Sequence, residues 1–332
     1  MLKTGKLDSD LLKELVFDKI KYRSNDVKIR PGIGEDCALI DFGEYECVMS
    51  TDPITAAVKD IGRLAVHITC NDIASNGVQP LGIMLAVMLP EGTCEADVSH
   101  IMGQAADTAA ALDVEIIGGH TEITPSVNQP VIVSTAIGKT PAGSSQSGND
   151  MEAGDYIMMT KSAGLEGSGI IACDYGERLK GFMTDDEIER ARSFLDMVSV
   201  VKEGVAAGKV GTHGMHDITE GGILGAVWEM CQISGKGAEV YRDAIPMEPE
   251  TVKICRFFDI DPLRLISSGS MVIITPRGLK AQMEQAMEEA GVNVSVIGEV
   301  RRAEEGVVMS WEGGSEKIAP PSPDEIYKVV GK

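Results

Sequence analysis

Two carboxylates in the first quarter of the chain have the residue type and spacing of a cation site. Asp72 continues the apolar stripe that Ile61, Ala65 and Ile68 form on a predicted helix, at a position where leucine or isoleucine would be expected. A bare carboxylate in an apolar interior costs several kcal/mol unless it is paired, protonated or bound to a cation. Asp52 ends a predicted strand that leads into the same helix. Together the two positions predict a cation site.

A predicted hairpin places a third carboxylate beside them. The sequence favours strands over residues 37–40 and 45–51, joined by a turn at 41–44. In a hairpin centred near residue 44, Asp36 lies opposite Asp52, and cross-strand partners approach to about 5 Å. Three acids this close repel each other strongly, so we expect a metal ion to lie among them.

Glycine-rich segments lie close to these acids in the sequence. Gly32 and Gly34 leave the backbone before Asp36 open to close approach by a ligand. A strand predicted over 114–117 runs directly into a segment typical of a ligand loop: Gly118, Gly119, His120, Thr121 and Glu122. Glu122 is a further candidate metal ligand, and the paired glycines would lie against a phosphate. The alternative is a plain turn before the next strand.

The second half contains two further segments of this kind. Lys161 precedes a loop rich in glycine and serine that resembles a phosphate cradle, although it lacks the Walker spacing GxxxxGK[ST]. Residues 215–222, MHDITEGG, lead into a helix predicted over 223–233. Asp217 or Thr219 can cap that helix, or the exposed amides at its start can bind an anion.

Composition and charge exclude several classes of function. The chain has 332 residues and a formal net charge of −21, which opposes non-specific binding to nucleic acid or to an anionic membrane. Only 4% of the residues are aromatic, so surfaces for base stacking are not expected. The longest apolar run, 81–90, is too short to cross a bilayer, and the charged N-terminus predicts no signal peptide. Seven scattered cysteines without a CxxC pair favour reduced thiols in the cytoplasm.

The length of the chain predicts two domains. We place the boundary in the segment 140–155, which is rich in glycine and serine, and this gives domains at 1–148 and 149–332. Both halves mix strands and helices of similar length. The expected fold class is therefore α/β with mixed sheets.

Apolar periodicity predicts the elements around these segments. A helix begins after Pro53 and ends at Gly77, where glycine is a common C-terminal cap. A helix over residues 8–22 is expected to turn its apolar side chains inward: Leu11, Leu12, Leu15, Val16 and Ile20. The other predicted elements are strands at 81–89, 131–138, 156–160, 293–300 and 306–311, and helices at 95–113, 184–197, 198–207 and 277–291.

The motifs resemble those of the aminoimidazole ribonucleotide synthetase superfamily. In order they are GIGEDCALI, STDP, CNDIASNGVQPLG, GGHTEI, HDITEGGILGA and ISSGSMVI. The blocks GEDxA, STD, NDxAxxG and HDxTxGG are most similar to the hydrogenase-maturation branch, the carbamoyl dehydratases. The resemblance implies a two-domain protein, with an N-terminal dimerising domain and a C-terminal α/β sandwich domain. It also implies a homodimer with a site for ATP and Mg²⁺ on the N-terminal domain, near the dimer interface.

Carried over position by position, the resemblance assigns roles to these segments. The metal ligands would be Asp36, Asp52, Asp72 and Glu122. The catalytic groups would be Asp52, Asp72, His120 and Asp217. The contacts to the nucleotide or the substrate would come from Gly34, Glu35, Asn71, Gly118, Gly119, Thr121, Lys161 and Gly222.

The chemistry common to the superfamily implies an ATP-dependent enzyme that phosphorylates, and so activates, a carbonyl or amide-type oxygen of a small substrate. Magnesium neutralises the charge between the phosphates, so positioning and electrostatics carry most of the reaction. Two alternatives stay open: a small-molecule kinase of the thiamine monophosphate kinase type, and a non-catalytic, nucleotide-binding assembly factor. A protein partner in a maturation complex is also expected, whereas nucleic acid and membrane partners are not.

The sequence departs from the hydrogenase-maturation branch at its C-terminus, where those proteins end in a cysteine that carries the substrate. The last cysteine here is Cys255, and the sequence ends at Lys332. We therefore expect a diffusible substrate that enters between the two domains, and a tail in which Gly331 and Lys332 fray into solvent. Cys37, inside the first motif, is interpreted as a buried strand thiol.

Overall fold

Two mixed sheets, each packed against helices, form the protein in a computed structural model that describes residues 7, 9–55, 58–146 and 150–330. The first sheet has the strand order β1-β2-β3-β6-β4-β5. Its strands are β1 Val27–Ile29, β2 Ala38–Asp41, β3 Tyr45–Ile54, β4 Pro80–Leu89, β5 Glu115–Ile123 and β6 Val131–Pro141. Its helices are α1 Ser9–Leu15, α2 Ile61–Ser75 and α3 Glu95–Ala111. Only β4 and β5 run parallel, and α3 makes the crossover between them.

The second sheet has the order β13-β12-β9-β11-β7-β10-β8. Its strands are β7 Tyr156–Thr160, β8 Gly214–Asp217, β9 Gly237–Tyr241, β10 Met271–Thr275, β11 Val294–Arg301, β12 Val307–Trp311 and β13 Gly314–Lys317. The helices of this half are α4 Leu165–Leu179, α5 Asp185–Arg192, α6 Val201–Val210, α7 Gly222–Ser234, α8 Pro249–Phe258, α9 Lys280–Glu289 and α10 Tyr327–Val330. The expected α/β fold with mixed sheets is confirmed.

Helix α2 joins the two halves and carries the central acid, Asp72. On one side it packs against β3 and β6, and on the other against α6 of the second half. Glycines permit the second contact: a Cβ at Gly204 would lie 2.4 Å from the carbonyl oxygen of Ala74, and a Cβ at Gly208 would lie 2.6 Å from Cα of Gly77. This close approach of the two backbones packs the C-terminal end of α2 tightly against α6 of the second half.

Most predicted elements are confirmed, and three expectations are wrong. The predicted helix over 8–22 is helical only over Ser9–Leu15 with a short 3-10 turn at Phe17–Lys19, and neither element buries a residue. Four of the side chains expected to lie inward are 37–46% exposed: Leu11, Leu15, Val16 and Ile20. Seven helical residues are too few to present a continuous apolar stripe to the core.

The second correction concerns the start of α2. Strand β3 continues through Pro53 to Ile54, which pairs with Ile132 of β6, so the helix begins only at Ile61. The partner strand on the other side, β2, pairs no further along β3 than Met49. Proline occurs in sheets mainly at edges, and this end of β3 is such an edge because it has a partner strand on one side only. The predicted end of the helix is confirmed, since Gly77 follows the last turn with φ +75°.

The third correction concerns residues 118–122, which form no loop. They continue β5, an exposed edge strand that stays paired with β4 as far as Ile123. The glycines serve this pairing, because Gly119 has φ +149° and a Cβ there would lie 2.0 Å from the carbonyl oxygen of Leu85. The glycine pair predicts a ligand loop from the sequence, but in the structure it lies where two paired strands approach closely.

Two further expectations fall outside the described residues. The domain boundary predicted at 148/149 stays a prediction, and so does the fraying of Gly331 and Lys332. The buried strand predicted at 81–89 is confirmed as β4, although Leu81 and Met84 lie on its exposed face. Among the described residues no helix combines the length and the apolar character needed to cross a membrane.

Candidate cation and nucleotide site

Asp72 lies inside the protein, as the apolar stripe predicts. The residue is 6% exposed on α2, and the Ser50 hydroxyl donates a hydrogen bond of 2.5 Å to its Oδ2. Burial raises the pKa of Asp72 well above its usual range, and the neighbouring acids Asp217, Asp52 and Asp36 raise it further. The neighbouring acids destabilise the charged form of Asp72, and a bound cation would stabilise it.

The hairpin brings Asp36 and Asp52 to this position, with a register one residue away from the expected one. Ala38 pairs with Met49, so continuing the ladder would set Asp36 opposite Thr51. Pairing stops at Ala38, and the preceding residues leave the sheet. Both acids nevertheless lie close enough to raise the pKa of Asp72, so the structure brings the three predicted carboxylates together.

Cys37 lies among these acids as a buried thiol. Its Sγ donates a hydrogen bond to the Asp72 carbonyl oxygen at 3.2 Å. Burial raises the pKa of the thiol well above its usual range, and the surrounding aspartates raise it further. A thiol held in this way is inert, which agrees with the structural interpretation of Cys37.

Asp217 adds a carboxylate from the second half. It ends β8 and is 1% exposed, and its backbone N–H donates to Ser75 Oγ of α2 at 3.0 Å. The predicted helix cap is wrong, because Gly221 occupies the N-cap of α7. The N–H of Gly221 donates to Oδ2 of Asp324 at 2.7 Å, so a carboxylate of the chain itself lies where an anion was expected.

His216 is a site residue that the sequence reasoning did not single out. It is 4% exposed, and its Nε2 lies 3.5 Å from Asp36 Oδ1 and 3.4 Å from Glu229 Oε2. Burial alone would lower the pKa of His216, but Asp36, Glu229 and Asp217 outweigh it and raise the pKa to about 10. The signal available in the sequence was the His-Asp pair at the end of a strand.

Glu166 is a second buried ionisable group that sequence reasoning missed. It lies in the first turn of α4, is 3% exposed, and accepts a hydrogen bond from the Ser268 N–H at 3.2 Å. Burial raises the pKa of Glu166 to about 7, against the lowering effect of Ser268, and Asp324 and Asp217 add to the rise. The group therefore changes its charge near neutral pH.

Two residues expected at the nucleotide make internal contacts instead. The Asn71 side chain donates to the carbonyl oxygen of Val198 and accepts from the N–H of Val200, both at 2.8 Å. Lys161 donates to the carbonyl oxygens of Ser199 and Gly269, and it forms an ion pair of 2.5 Å with Glu203. Through these contacts both side chains hold separate segments of the chain together.

Glu122, His120 and Thr121 are not brought to the acids within one chain. They lie on β5, and strands β6 and β4 separate this edge from β3 and Asp52. At about 4.8 Å per strand the separation is roughly 14 Å. His120 Nε2 lies 3.4 Å from Glu122 Oε2, and both side chains are about half exposed or more.

The glycine-rich start of the first motif is closed by packing. Gly34 has φ +78°, and a Cβ there would lie 2.9 Å from the Ile233 side chain of α7. The N–H of Glu35 donates to the carbonyl oxygen of Gly32 at 3.4 Å. Gly222 is also closely packed, since a Cβ there would lie 2.5 Å from the carbonyl oxygen of Leu263.

Comparisons with known proteins agree with the motifs. The model of the AIR synthase related protein N-terminal domain matches residues 34–140, and that of the C-terminal domain matches residues 152–310. A provisionally named hydrogenase expression/formation protein of Methanocaldococcus jannaschii is 28% identical over 98% of this chain and 97% of its own length. The carbamoyl dehydratase HypE of Rhizobium leguminosarum bv. viciae is 31% identical over 80% of this chain and 77% of its own length.

Solved structures show the same fold. The HypE–HypF complex contains a chain that superposes with a TM-score of 0.79 and 25% identity, covering 94% of this chain and 99% of that one. The hydrogenase maturation protein HypE in complex with ATP superposes with a TM-score of 0.75 and 24% identity, covering 98% of each chain.

Proposed function

The chain belongs to the AIR synthase related family, and we propose that it is an ATP-dependent enzyme that phosphorylates a carbonyl or amide-type oxygen of a small substrate. Phosphorylation turns a poor leaving group into a good one, with release of ADP and then phosphate. The relatives named carbamoyl dehydratases support this reaction class. The observation that carries the proposal is the set of acids around Asp72 at the junction of the two halves.

The acids fit a magnesium ion that accompanies ATP. Magnesium prefers hard oxygen ligands and is commonly held by one or two carboxylates together with substrate phosphates. Asp36, Asp52 and Asp72 supply such oxygens, and the raised pKa of Asp72 reflects burial and acid neighbours that a cation would offset. We infer that these three residues hold the ion, which supplies charge neutralisation at the phosphates when it is bound.

The residues around this set fix its geometry. The Ser50 hydroxyl orients the Asp72 carboxylate, and Ser75 ties Asp217 of the second half to α2. Asn71 holds the 198–200 segment against the same helix. Because catalysis of phosphoryl transfer depends mainly on positioning and electrostatics, rigid support of the acids is the main contribution of the chain.

We also propose a homodimer formed by the outer face of the first sheet. Four large apolar side chains are 40–55% exposed on β4 and β5: Leu81, Met84, Ile117 and Ile123. Strand β5 is an edge whose residues are exposed along almost its whole length, and such an edge pairs readily with another chain. In this arrangement His120 and Glu122 serve the site of the second copy, which explains their distance from the acids of their own chain.

A protein partner is a further element of the proposal. One structural relative was solved as the HypE–HypF complex, and the chain covers 99% of that HypE-like chain. We infer a second maturation protein as the partner that delivers or receives the activated group.

Calorimetry of ATP binding, together with release of phosphate, tests the proposed function. Wild type should bind ATP only with magnesium, and Asp72→Asn should weaken binding at least tenfold, about 1.4 kcal/mol. Asp107→Asn, at an exposed position on α3, is the matched control and should bind as wild type does. If Asp72→Asn binds ATP with unchanged affinity, the assignment of these acids to the nucleotide site is wrong. A stable phosphorylated product in place of free phosphate would favour a kinase.

A further inference from the structure

We propose that residues 9–22, called the arm below, lie against the exposed edge strand β5 of a second copy of the chain. The proposal rests on the homodimer proposed above and adds a second contact to it. In the resulting assembly, the arm of each copy covers the edge at which His120 and Glu122 of the other copy are exposed.

The arm leaves its apolar side chains uncovered within its own chain. It consists of α1, the 3-10 turn at Phe17–Lys19 and the residues that follow, and neither helical element buries a residue. Isolated helices of fewer than about 12 residues are marginal in water. The large apolar side chains of the arm are 37–83% exposed: Leu11, Leu15, Val16, Ile20 and Tyr22. An apolar surface of this kind on a short helix indicates a contact with another surface.

The base of the arm is fixed at the β1 edge of the first sheet. Arg30 donates a hydrogen bond to the carbonyl oxygen of Ser24 at 2.6 Å, and the N–H of Asp41 on β2 donates to the carbonyl oxygen of Asp26 at 2.7 Å. The arm therefore starts from a defined point beside β2. Four strands separate this edge from β5 of the same chain, about 24 Å at the usual strand spacing.

The proposed dimer brings the arm to β5 of the second copy. In that dimer the outer faces of the two first sheets pack together, and β5 of each copy serves the acids beside β2 and β3 of the other. A two-fold axis between the faces and roughly parallel to the strands does this, and it sets β1 of each copy opposite β5 of the other. Packed sheets lie about 10 Å apart, so an arm that begins at β1 reaches the opposite β5 without a long linker.

The two surfaces match in apolar character and in charge. On β5, Ile117 and Ile123 are 47% and 51% exposed, and the same strand exposes the acids Glu115 and Glu122. Residues 19–23 at the end of the arm read KIKYR, so three of these five residues are basic in a chain whose net charge is −21. Opposite charges across an interface fix its register and disfavour other partners. A second copy of the chain is therefore the occupant that this arm fits.

Cross-linking between isotopically distinct copies tests the contact without any use of activity. Full-length protein is mixed with ¹⁵N-labelled protein, allowed to exchange subunits, and treated with a carbodiimide, which joins a lysine amine directly to a carboxylate. We expect linked peptides of mixed isotope that join Lys19 or Lys21 to Glu115 or Glu122. The internal control is Lys280, which forms an ion pair with Glu284 on its own helix and should give this link in single-isotope form only.

A matched pair of variants measures how much the arm contributes to the dimer. Ile20→Glu places a charge on the apolar side of the arm and should raise the dimer dissociation constant, measured by sedimentation equilibrium, by roughly tenfold or more. Val252→Glu on α8 is the control, because Val252 is 44% exposed and Ile20 is 41% exposed, and it should leave the constant unchanged. In a monomeric background that carries Met84→Lys and Ile117→Lys, Ile20→Glu should not change the free energy of unfolding.

The proposal is overturned if Ile20→Glu dimerises as strongly as wild type, or if the arm lysines form links to β5 only within one copy. It is also overturned if Ile20→Glu destabilises the monomeric background, because the arm then packs on its own chain. A monomeric wild type would overturn the homodimer as well. Binding of ATP with magnesium is measured separately with Asp72→Asn, so failure of the arm contact and failure of the proposed function are distinguishable.

Discussion

Replacing Glu166 by glutamine removes an ionisable group that the folded protein holds in its neutral form over a wide pH range. Burial, opposed by hydrogen bonds from Ser268 and reinforced by Asp324 and Asp217, raises the pKa of Glu166 from 4.5 to about 7. The unfolded chain returns the group to its ordinary pKa. Between pH 4.5 and about pH 7 the folded protein therefore binds more protons than the unfolded protein, so its free energy of unfolding falls as the pH rises.

The size of the effect follows from the two pKa values. The contribution of Glu166 is most favourable below pH 4.5, and about 3 kcal/mol of it is lost by pH 7.5. Glutamine cannot ionise, and its side-chain oxygen can still accept the N–H of Ser268. We therefore expect Glu166→Gln to be more stable than wild type at pH 7.5 by about 3 kcal/mol, with a difference near zero at low pH.

Urea denaturation at half-unit intervals from pH 4.5 to 7.5 measures this difference. Subtracting the variant from wild type removes the contributions of the other titrating groups, except for coupling to Asp324 and Asp217. Glu177→Gln is the matched control, since Glu177 is exposed on the same helix and forms an ion pair with Lys180 at the surface. A Glu166→Gln curve parallel to that of wild type over the whole range would refute the reasoning.

Two further predictions concern the proposed dimer interface and the buried hydrogen bonds of Asn71. The chain should form a dimer at micromolar concentration, with a light-scattering mass twice that of the 35.3 kDa protomer. The double change Met84→Lys and Ile117→Lys places two charges on the proposed interface and should give a folded monomer. A monomeric wild type would exclude the interface. Asn71→Ala should lower the free energy of unfolding by about 3 kcal/mol, because it leaves the backbone groups of Val198 and Val200 buried and unpaired, whereas Asn128→Ala at an exposed position should change it little. Urea denaturation at pH 7 measures both asparagine variants, and equal losses in the two would contradict the bridging role.

Local patterns were enough to predict the acids of the candidate site. An aspartate in an apolar stripe and a hairpin with a short turn are features of neighbouring residues, so Asp72 and the pairing of β2 with β3 follow from the sequence. The one-residue error in register arose because turn geometry, and not the strand pattern, sets the pairing. Asp36 still reaches the same set of acids, since it lies beyond the last paired residue.

The missed residues depend on contacts that span long stretches of chain. His216 meets Asp36 only because β8 pairs with β10 at one edge of the second sheet and packs against α2. Glu166 becomes buried only because the Ser268 segment lies against the first turn of α4. Spacing along the sequence carries no signal for either contact. The glycines at 118 and 119 misled for a related reason, since their role is set by the neighbouring strand.

The carboxylate of Asp324 at the start of α7 has a consequence for the selection of ligands. An internal carboxylate acts at an effective concentration of millimolar order or higher, so a free monoanion at micromolar concentration competes poorly for the same amides. A ligand gains access only if it carries more charge than a carboxylate or if it is anchored elsewhere on the protein at the same time. Protonation of Asp324, whose pKa burial raises to about 6, weakens the internal competitor in mildly acidic solution. The start of α7 is thus occupied by an anionic group that the chain itself provides, and an external anion would have to compete with it.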